Sequence, residues 1–444
     1  MKMLSVKWDE NAIKELDLGI ANLMAKGLDF PDEENFNQLA VAVFNMQYQQ
    51  NEYFRNYCMK LGISPERVKE WTDIPAIPTK AFRENIIASF PLTETELALL
   101  TSGTTDLQNR GKIYRDKASL SMILRANYQL TKKYLFPDID KMRILLLVPS
   151  PQAAPGMPMA FGLEQARQEF GTEDSAYFIT PEGFQTEEMI EALQQAEAKG
   201  EPVCILGATS GYVFFFNQCR TRGLKFNLPE GSRVCDGGGY QGTFGPCSRT
   251  EFYAMVQEFL NIPEYRCVNI LGMGESGTNY FDNVLYDFWH TGEVKPRYKI
   301  VPHWTRTVIV GVRTGQIMPP GEIGLIKHYD LTNRATVLAV LTDNLGYQVD
   351  GGFEIVGRAN SNQSSLVNGS YNGIKDWVLG VGSDDEERKM FAVGCSIVAD
   401  GMIQGHPHGM PCSTVADGMM QGHPHGMPCS TVADGMMMGD NRHK

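Results

Sequence analysis

A run of hydroxyls, "LLTSGTTDLQNRGKIYRD" from Leu99 to Asp116, is the first place in this chain where residue types and spacing could do chemistry. Gly103 lets the backbone turn so that successive N–H groups converge on one point. Thr101, Ser102, Thr104 and Thr105 add side-chain donors around that point, and Arg110 and Lys112 bring positive charge nearby. Such a set can hold a phosphate; the competing reading is a Ser/Thr-rich surface turn. It is not a Walker loop, because the G-x-x-x-x-G-K-[ST] spacing is missing. A second run, "GMGESG" from Gly272 to Gly277, satisfies G-x-G-x-x-G after a strand-like stretch, and Glu293 supplies an acid beyond it. This is the fingerprint of a nicotinamide or flavin enzyme. It would, however, sit far down the chain rather than early in its βαβ unit, and it leaves the hydroxyl run unexplained.

The elements that must position these residues show in the hydrophobic pattern. Phe36, Leu39, Ala40, Val43 and Phe44 have the spacing of a buried helix face, and residues 1–90 read as a helical region. Prolines in "IPAIPTKAF" break it. Over 91–304 short apolar runs alternate with helical patterns: "RILLLVPS", "TEEMIEALQQAEAKG", "VCILGAT", "YVFFFNQCRTRG", "SRVCDGGG", "SRTEFYAMVQEFLN" and "RCVNILGMGES". This alternation predicts an α/β core. Ser248 followed by Glu251 has the spacing of a capping box and predicts a helix start. Over 305–358 the pattern becomes strands without intervening helices, "RTVIVGV", "GLIKHYDL", "TVLAVLTD" and "GFEIVGR", which predicts a β-rich subdomain. A short C-terminal segment, 359–400, follows, and then a repeat tail, 401–444.

Composition narrows the class. At 444 residues the chain exceeds what one core usually serves. A net charge of −12 argues against a general nucleic-acid binder, which would carry a basic surface. The N-terminal "MKMLSVKWDENAIKEL" lacks the apolar stretch of an export signal. The most apolar segment, "PVCILGATSGYVFFFNQC", reads as a strand, a turn and a buried helix rather than a membrane span. Six cysteines scattered through the body without metal-type pairing suit reduced thiols. A cytoplasmic location is the expectation.

Taken in order, "IPAIPTKAF", "SGTTD", "GGGYQG", "SRTEFY", "GEIGLIKHYDLTNRATVLAVLTDNLG" and "GFEIVGRAN" resemble the acyl-protein synthetases of bacterial bioluminescence, the luciferin-component ligases. These are a branch of the adenylate-forming enzymes, and the resemblance runs from about residue 70 to about 400. It implies an acyl-CoA synthetase-like α/β N-terminal domain with a β-rich subdomain and a short C-terminal segment. It makes the hydroxyl run, Thr101 to Thr105, the phosphate-binding loop for ATP, with Asp106 where glycine is usual. It makes Glu275 the residue that helps hold Mg²⁺ on ATP, with Gly274 in place of a threonine. Asp343 would grip both ribose hydroxyls, and Arg358 would lie near the phosphate or ribose. Gly238 and Gly239, in "DGGGY", fall where the adenine pocket is built. Cys395, in "VGCSIVAD", matches the thiol that accepts the acyl group. Lys112, Arg334 and Tyr240 stay open between structural and nucleotide-facing roles.

The end of the chain is a tandem repeat whose units start at Cys395, Cys412 and Cys429, each seventeen residues after the last. Rich in Gly, Pro and Met, it is poor material for a packed solenoid and is expected to be largely disordered. Three readings stand: a duplication with only Cys395 functional, Cys412 and Cys429 as alternative acyl acceptors, or metal binding. The last rests on His406, His408, His423 and His425 with eight nearby methionines, which suit copper better than magnesium.

These residues and the resemblance point to an ATP- and Mg²⁺-dependent ligase that adenylates a carboxylic acid, a fatty acid by resemblance. The acyl group would pass to a cysteine and on to an acyl reductase partner. An acid–thiol ligase releasing to coenzyme A is the first alternative. A metal-binding protein using its tail and an NAD-dependent oxidoreductase are alternatives of other classes.

Overall fold

The computed structural model describes residues 10–100, 111–242 and 244–359. The hydroxyl run from Thr101 to Thr105, Cys395 and the repeats therefore lie outside the described residues. The chain forms two compact units. One contains the described parts of Met1–Leu130, Gly272–Asn283 and Pro296–Asp384; the other contains the described parts of Thr131–Leu271 and Val284–Lys295.

The second unit is built on a parallel sheet. Its strands lie in the order Ala176–Tyr177, Arg143–Leu147, Val203–Ala208, Arg233–Gly237, Cys267–Leu271, each parallel to its neighbour. All six residues of Val203–Ala208 are buried, as a strand covered on both faces requires. Helices Pro158–Phe170, Thr186–Lys199, Thr209–Arg222 and Arg249–Leu260 connect the strands. The apolar stretch that could be taken for a membrane span is thus the central strand and the helix that follows it, with Tyr212, Phe215 and Phe216 in the core. Among the described residues no helix is long and apolar enough to cross a membrane. Ser248 caps its helix as its spacing predicts: its side chain accepts from the Glu251 N–H at 3.1 Å, and the Glu251 carboxylate accepts from the Ser248 N–H at 2.6 Å.

From the Arg143–Leu147 strand the chain moves outward to Ala176–Tyr177, then returns to the other side at Val203–Ala208. The strand order therefore reverses between Arg143–Leu147 and Val203–Ala208, and ligands of such sheets bind beyond the carboxyl ends at this kind of switch.

The first unit opens with helices Glu10–Ala25, Glu33–Gln50 and Glu52–Lys60. Phe36, Ala40, Val43 and Phe44 are buried as their spacing predicts, and Leu39 is half-buried. The helical pattern then stops earlier than expected: residues 61–90 are mostly turns and irregular chain, with a 3-10 turn, Trp71–Asp73, a two-residue strand, Ile77–Pro78, and one turn of α-helix, Ala81–Glu84. Pro65, Pro75 and Pro78 explain this, since each disfavours helix in the residue before it.

The antiparallel sheet of this unit has the order Lys299–Ile300, Gly352–Arg358, Ala339–Val349, Gly324–Asp330, Thr305–Val310. Ile77–Pro78 adds in parallel against Val340 and Leu341. The four apolar runs expected as strands after residue 305 are the four long strands of this sheet.

Candidate active site

The site is built from one irregularity in that sheet. Along Gly324–Asp330 and Ala339–Val349 the register pairs Lys327 with Leu341 and then Leu325 with Leu345. Thr342, Asp343 and Asn344 therefore stand opposite Ile326 alone. The Thr342 hydroxyl stitches this bulge, donating to the Ile326 carbonyl at 2.8 Å and accepting from the Asn344 N–H at 3.1 Å. Bulges of this kind re-aim a side chain out of the ladder. Here the residue at the centre is Asp343, half-buried, whose carbonyl accepts from the Ala359 N–H at 2.7 Å. Arg358 stands opposite Asn344 on the neighbouring strand and donates through Nε to its Oδ1 at 3.1 Å.

Glu275 faces this pair from the segment Gly272–Asn283. It is buried, and burial lifts its carboxyl above the usual range. Its own backbone N–H opposes the rise, the charge of Asp343 adds to it, and Arg83 and Arg358 counter it. The structure thus brings Glu275, Asp343 and Arg358 within electrostatic reach of one another. Arg83 had no signal of its own in the sequence. It belongs to the Ala81–Glu84 turn, which follows the Ile77–Pro78 strand after Thr79 donates to the Leu341 carbonyl at 3.0 Å. Gly111 is needed beside it, because a Cβ there would stand 2.0 Å from the Phe82 carbonyl and 2.6 Å from Arg83 Cα.

The backbone around Glu275 is tightly held. Arg115 is fully buried; its Nη1 donates to Thr336 Oγ1 at 3.0 Å, and its Nη2 donates to the Gly274 carbonyl at 3.0 Å and to Asn333 Oδ1 at 3.1 Å. Asn333 Nδ2 in turn donates to the Glu275 carbonyl at 3.0 Å. Beyond Glu275, buried Asp330 accepts from Ser276 Oγ, from the Thr278 N–H and from Thr278 Oγ1 at 2.9–3.1 Å. Sequence reasoning passed over Arg115, Asp330 and Asn333, because single polar residues beside strands usually mark a solvated face.

The residues left open in the sequence resolve differently. Arg334 is structural: Asp116 and Asp17 occupy its guanidinium at 2.6–3.1 Å. Lys112 is exposed on the strand Lys112–Asp116. In the second unit, Tyr240 packs against Phe252 and Tyr253, and its hydroxyl lies 3.2 Å from that of Tyr253. Gly238 and Gly239 follow the carboxyl end of Arg233–Gly237 with φ of 91° and 85°, a conformation only glycine adopts freely. Beside them, Asp236 accepts from Thr209 Oγ1 at 3.0 Å and from Asn269 Nδ2 at 2.8 Å.

"GMGESG" is not a dinucleotide fingerprint. No helix starts at Gly272–Gly277; turns follow the strand, and the next helix is Val284–Thr291. Without a helix N-terminus the motif cannot cradle a pyrophosphate in the Rossmann manner.

The family described as acyl-protein synthetase, LuxE, matches residues 10–365. The chain belongs to that family. It is 21% identical over 315 residues to the long-chain-fatty-acid–luciferin-component ligase of Vibrio harveyi, covering 70% of this chain and 78% of that one. The ligase of the same name from Aliivibrio fischeri is 19% identical over 313 residues, with the same coverage. A solved 2-hydroxyisobutyryl-CoA ligase in an open conformation shares the fold, with a TM-score of 0.52 at 11% identity over 75% of this chain and 77% of that chain. The same ligase in its postadenylation state gives 0.50 at 10% identity, over 74% and 69%. This acyl-protein synthetase family member is thus an acid ligase of adenylate-forming fold, which uses ATP to activate a carboxylic acid as an acyl adenylate.

Proposed function

We propose that this acyl-protein synthetase adenylates a long-chain fatty acid and transfers the acyl group to its own Cys395, for delivery to an acyl reductase in the cytoplasm. The observation that carries the reading is the convergence of Glu275, Asp343 and Arg358, which lie far apart in sequence and match three nucleotide-binding segments of the family. The fatty acid is supported by the names of the relatives from Vibrio harveyi and Aliivibrio fischeri.

In this reading the acid's carboxylate oxygen attacks the α-phosphorus of ATP, and the bond to pyrophosphate breaks. Thr101, Ser102, Gly103, Thr104 and Thr105 hold the phosphates, and Asp343 accepts from both ribose hydroxyls. Arg358 offsets negative charge near the ribose and α-phosphate. Magnesium fits Glu275: the site is a buried carboxylate with a second carboxylate in reach, an arrangement that a hard cation relieves. Among the described residues no three His, Cys, Asp or Glu side chains converge on a point. One carboxylate plus substrate phosphates is how Mg²⁺ is usually held. Bound there, Mg²⁺ would neutralise charge on the phosphate oxygens as the pyrophosphate leaves.

The Cys395 thiolate then attacks the acyl carbonyl carbon, and the bond to AMP breaks. The body cysteines are poor substitutes. Burial pushes the thiols of Cys58, Cys204 and Cys219 up to about 12 and that of Cys247 up to about 11, far from a ready thiolate.

Incubation with Mg-ATP and a panel of radiolabelled acids tests the reading. The expected outcome is label on the protein that hydroxylamine releases, strongest with long-chain acids. Acid-dependent pyrophosphate–ATP exchange with no protein-bound label, but with acyl-CoA formed when coenzyme A is added, would replace the protein acceptor by a small thiol.

A further inference from the structure

Buried arginines in this protein are normally matched to carboxylates. Arg334 grips Asp17 and Asp116, and Arg233 holds Asp138 through two bonds of 2.6 and 2.7 Å. Arg115 departs from this pattern. It is fully buried, yet its hydrogen bonds go to neutral acceptors: Thr336 Oγ1, Asn333 Oδ1 and the carbonyl of Gly274. Burying a cation without a directly bonded anion is costly, and the geometry shows what the arrangement accomplishes. Arg115 holds the peptide carbonyl just before Glu275, and Asn333, which Arg115 itself orients, holds the carbonyl of Glu275.

The Glu275 carboxylate needs such help. Among the described residues no side chain hydrogen-bonds it; Asp343, Arg83, Arg358 and Arg115 act on it only through space. Its direction is therefore set by its own backbone and by whatever fixes that backbone. Asp330 pins the following turn through Ser276 and Thr278, and Ser276 N–H donates to the Met273 carbonyl at 3.2 Å. Arg115 and Asn333 pin the side that bears the carboxylate.

We infer that Arg115 and Asn333 are positioning residues for Glu275, holding its two flanking carbonyls so that the carboxylate meets the metal on ATP. Arg115 also joins three parts of the site. It lies on the Lys112–Asp116 strand that leads out of the hydroxyl run, it reaches the Glu275 segment, and through Thr336 and Asn333 it reaches the turn before the strand that bears Asp343. Misorienting a metal carboxylate by removing the groups behind it typically lowers affinity or activity about 10–100-fold. The inference rests on Glu275 as the metal carboxylate, and its test separates the two.

Asn333→Ala and Arg115→Lys are compared with Glu275→Gln in acid-dependent pyrophosphate–ATP exchange over a Mg²⁺ titration. ATP affinity is measured by calorimetry in EDTA, and thermal unfolding is followed by circular dichroism. Asn333→Ala should lower the maximal exchange rate about 10–100-fold and raise the Mg²⁺ concentration giving half the rate. ATP affinity in EDTA should stay within about twofold, because the nucleotide's own contacts remain. Arg115→Lys keeps the charge but cannot span all three acceptors, and should behave alike. Should Arg115→Lys fail to fold, Asn333→Ala carries the test, since it removes one amide and leaves the buried cation in place. Glu275→Gln abolishing exchange while both other variants keep wild-type rate and Mg²⁺ dependence would overturn the positioning role alone. A loss of ATP affinity in EDTA as large as the loss of exchange would also overturn it, marking a general structural effect. Unchanged exchange in Glu275→Gln would overturn the role of Glu275 itself.

Discussion

A carboxylate that is buried, faces another carboxylate and accepts no side-chain hydrogen bond destabilises the fold that holds it, and among the described residues Glu275 is such a group. Its raised pKa means that the folded state binds the proton more tightly than the unfolded state. The favourable contribution is therefore full below the ordinary carboxylate value and is lost as pH rises through the folded value. Glu275→Gln should accordingly raise the melting temperature of the nucleotide-free protein at pH 8 and do little at pH 4, while acid-dependent exchange falls about 10²–10³-fold. Thermal scans at the two pH values check the first half. A variant less stable than wild type at pH 8 would mean that the Glu275 charge is compensated in the free protein. At this scale motifs in the sequence single out Glu275, Asp343 and Arg358, and the structure shows that Asp343 and Arg358 act electrostatically on Glu275. The sequence was silent at Arg83, Arg115 and Asn333, whose contacts with the Glu275 segment or electrostatic reach to it come from where the backbone takes them.

Elements were more legible than residues, because burial of alternate or successive side chains leaves a pattern that a lone hydrogen bond does not. Every apolar run read as a strand after residue 305 is a strand, and the Ser248 cap starts the helix it predicted. What the pattern could not carry was the bulge at Thr342–Asn344, since two extra residues opposite Ile326 change the register without changing the composition. The same sheet hides a titratable group that the chemistry does not use. His328 is fully buried on Gly324–Asp330, stacked on Tyr280 at 4.5 Å, edge-on to Phe353, with Nδ1 2.9 Å from Thr307 Oγ1. Burial pulls its pKa down to about 3. The unfolded chain therefore takes up a proton that the folded sheet refuses, and the stability contributed above the unfolded value of 6.5 is lost as pH falls toward about 3. One such group adds a slope of about 1.4 kcal/mol per pH unit across that window. His328→Gln should flatten the decline in urea-unfolding free energy between pH 6 and pH 4 relative to wild type. Parallel declines would place the acid sensitivity elsewhere in the protein.

For the whole molecule, the order of segments along the chain is a poor guide to which of them pack together. The first unit gathers three separate stretches, and the twelve residues from Gly272 to Asn283 that bring Glu275 into it are flanked on both sides by sequence of the second unit. A linear reading can find the motifs in such a chain but not the body to which each belongs. The proposed transfer step runs through Cys395, which stands in a family-like "VGCS" setting, whereas the copies at Cys412 and Cys429 follow proline. Attack requires the sulfur within about 3–3.5 Å of the adenylate carbonyl, and the proposal gives that place to Cys395 rather than to the copies. Cys395→Ser should therefore still form acyl adenylate, measured as acid-dependent pyrophosphate exchange near the wild-type rate, yet lose the hydroxylamine-sensitive acyl label. The double variant Cys412→Ser, Cys429→Ser should keep that label. Label that persists in Cys395→Ser and disappears only when all three cysteines are changed would make the repeats interchangeable acyl carriers. Label that survives all three changes would move the acceptor to the body of the protein, where half-buried Cys247 is the most accessible of the described cysteines.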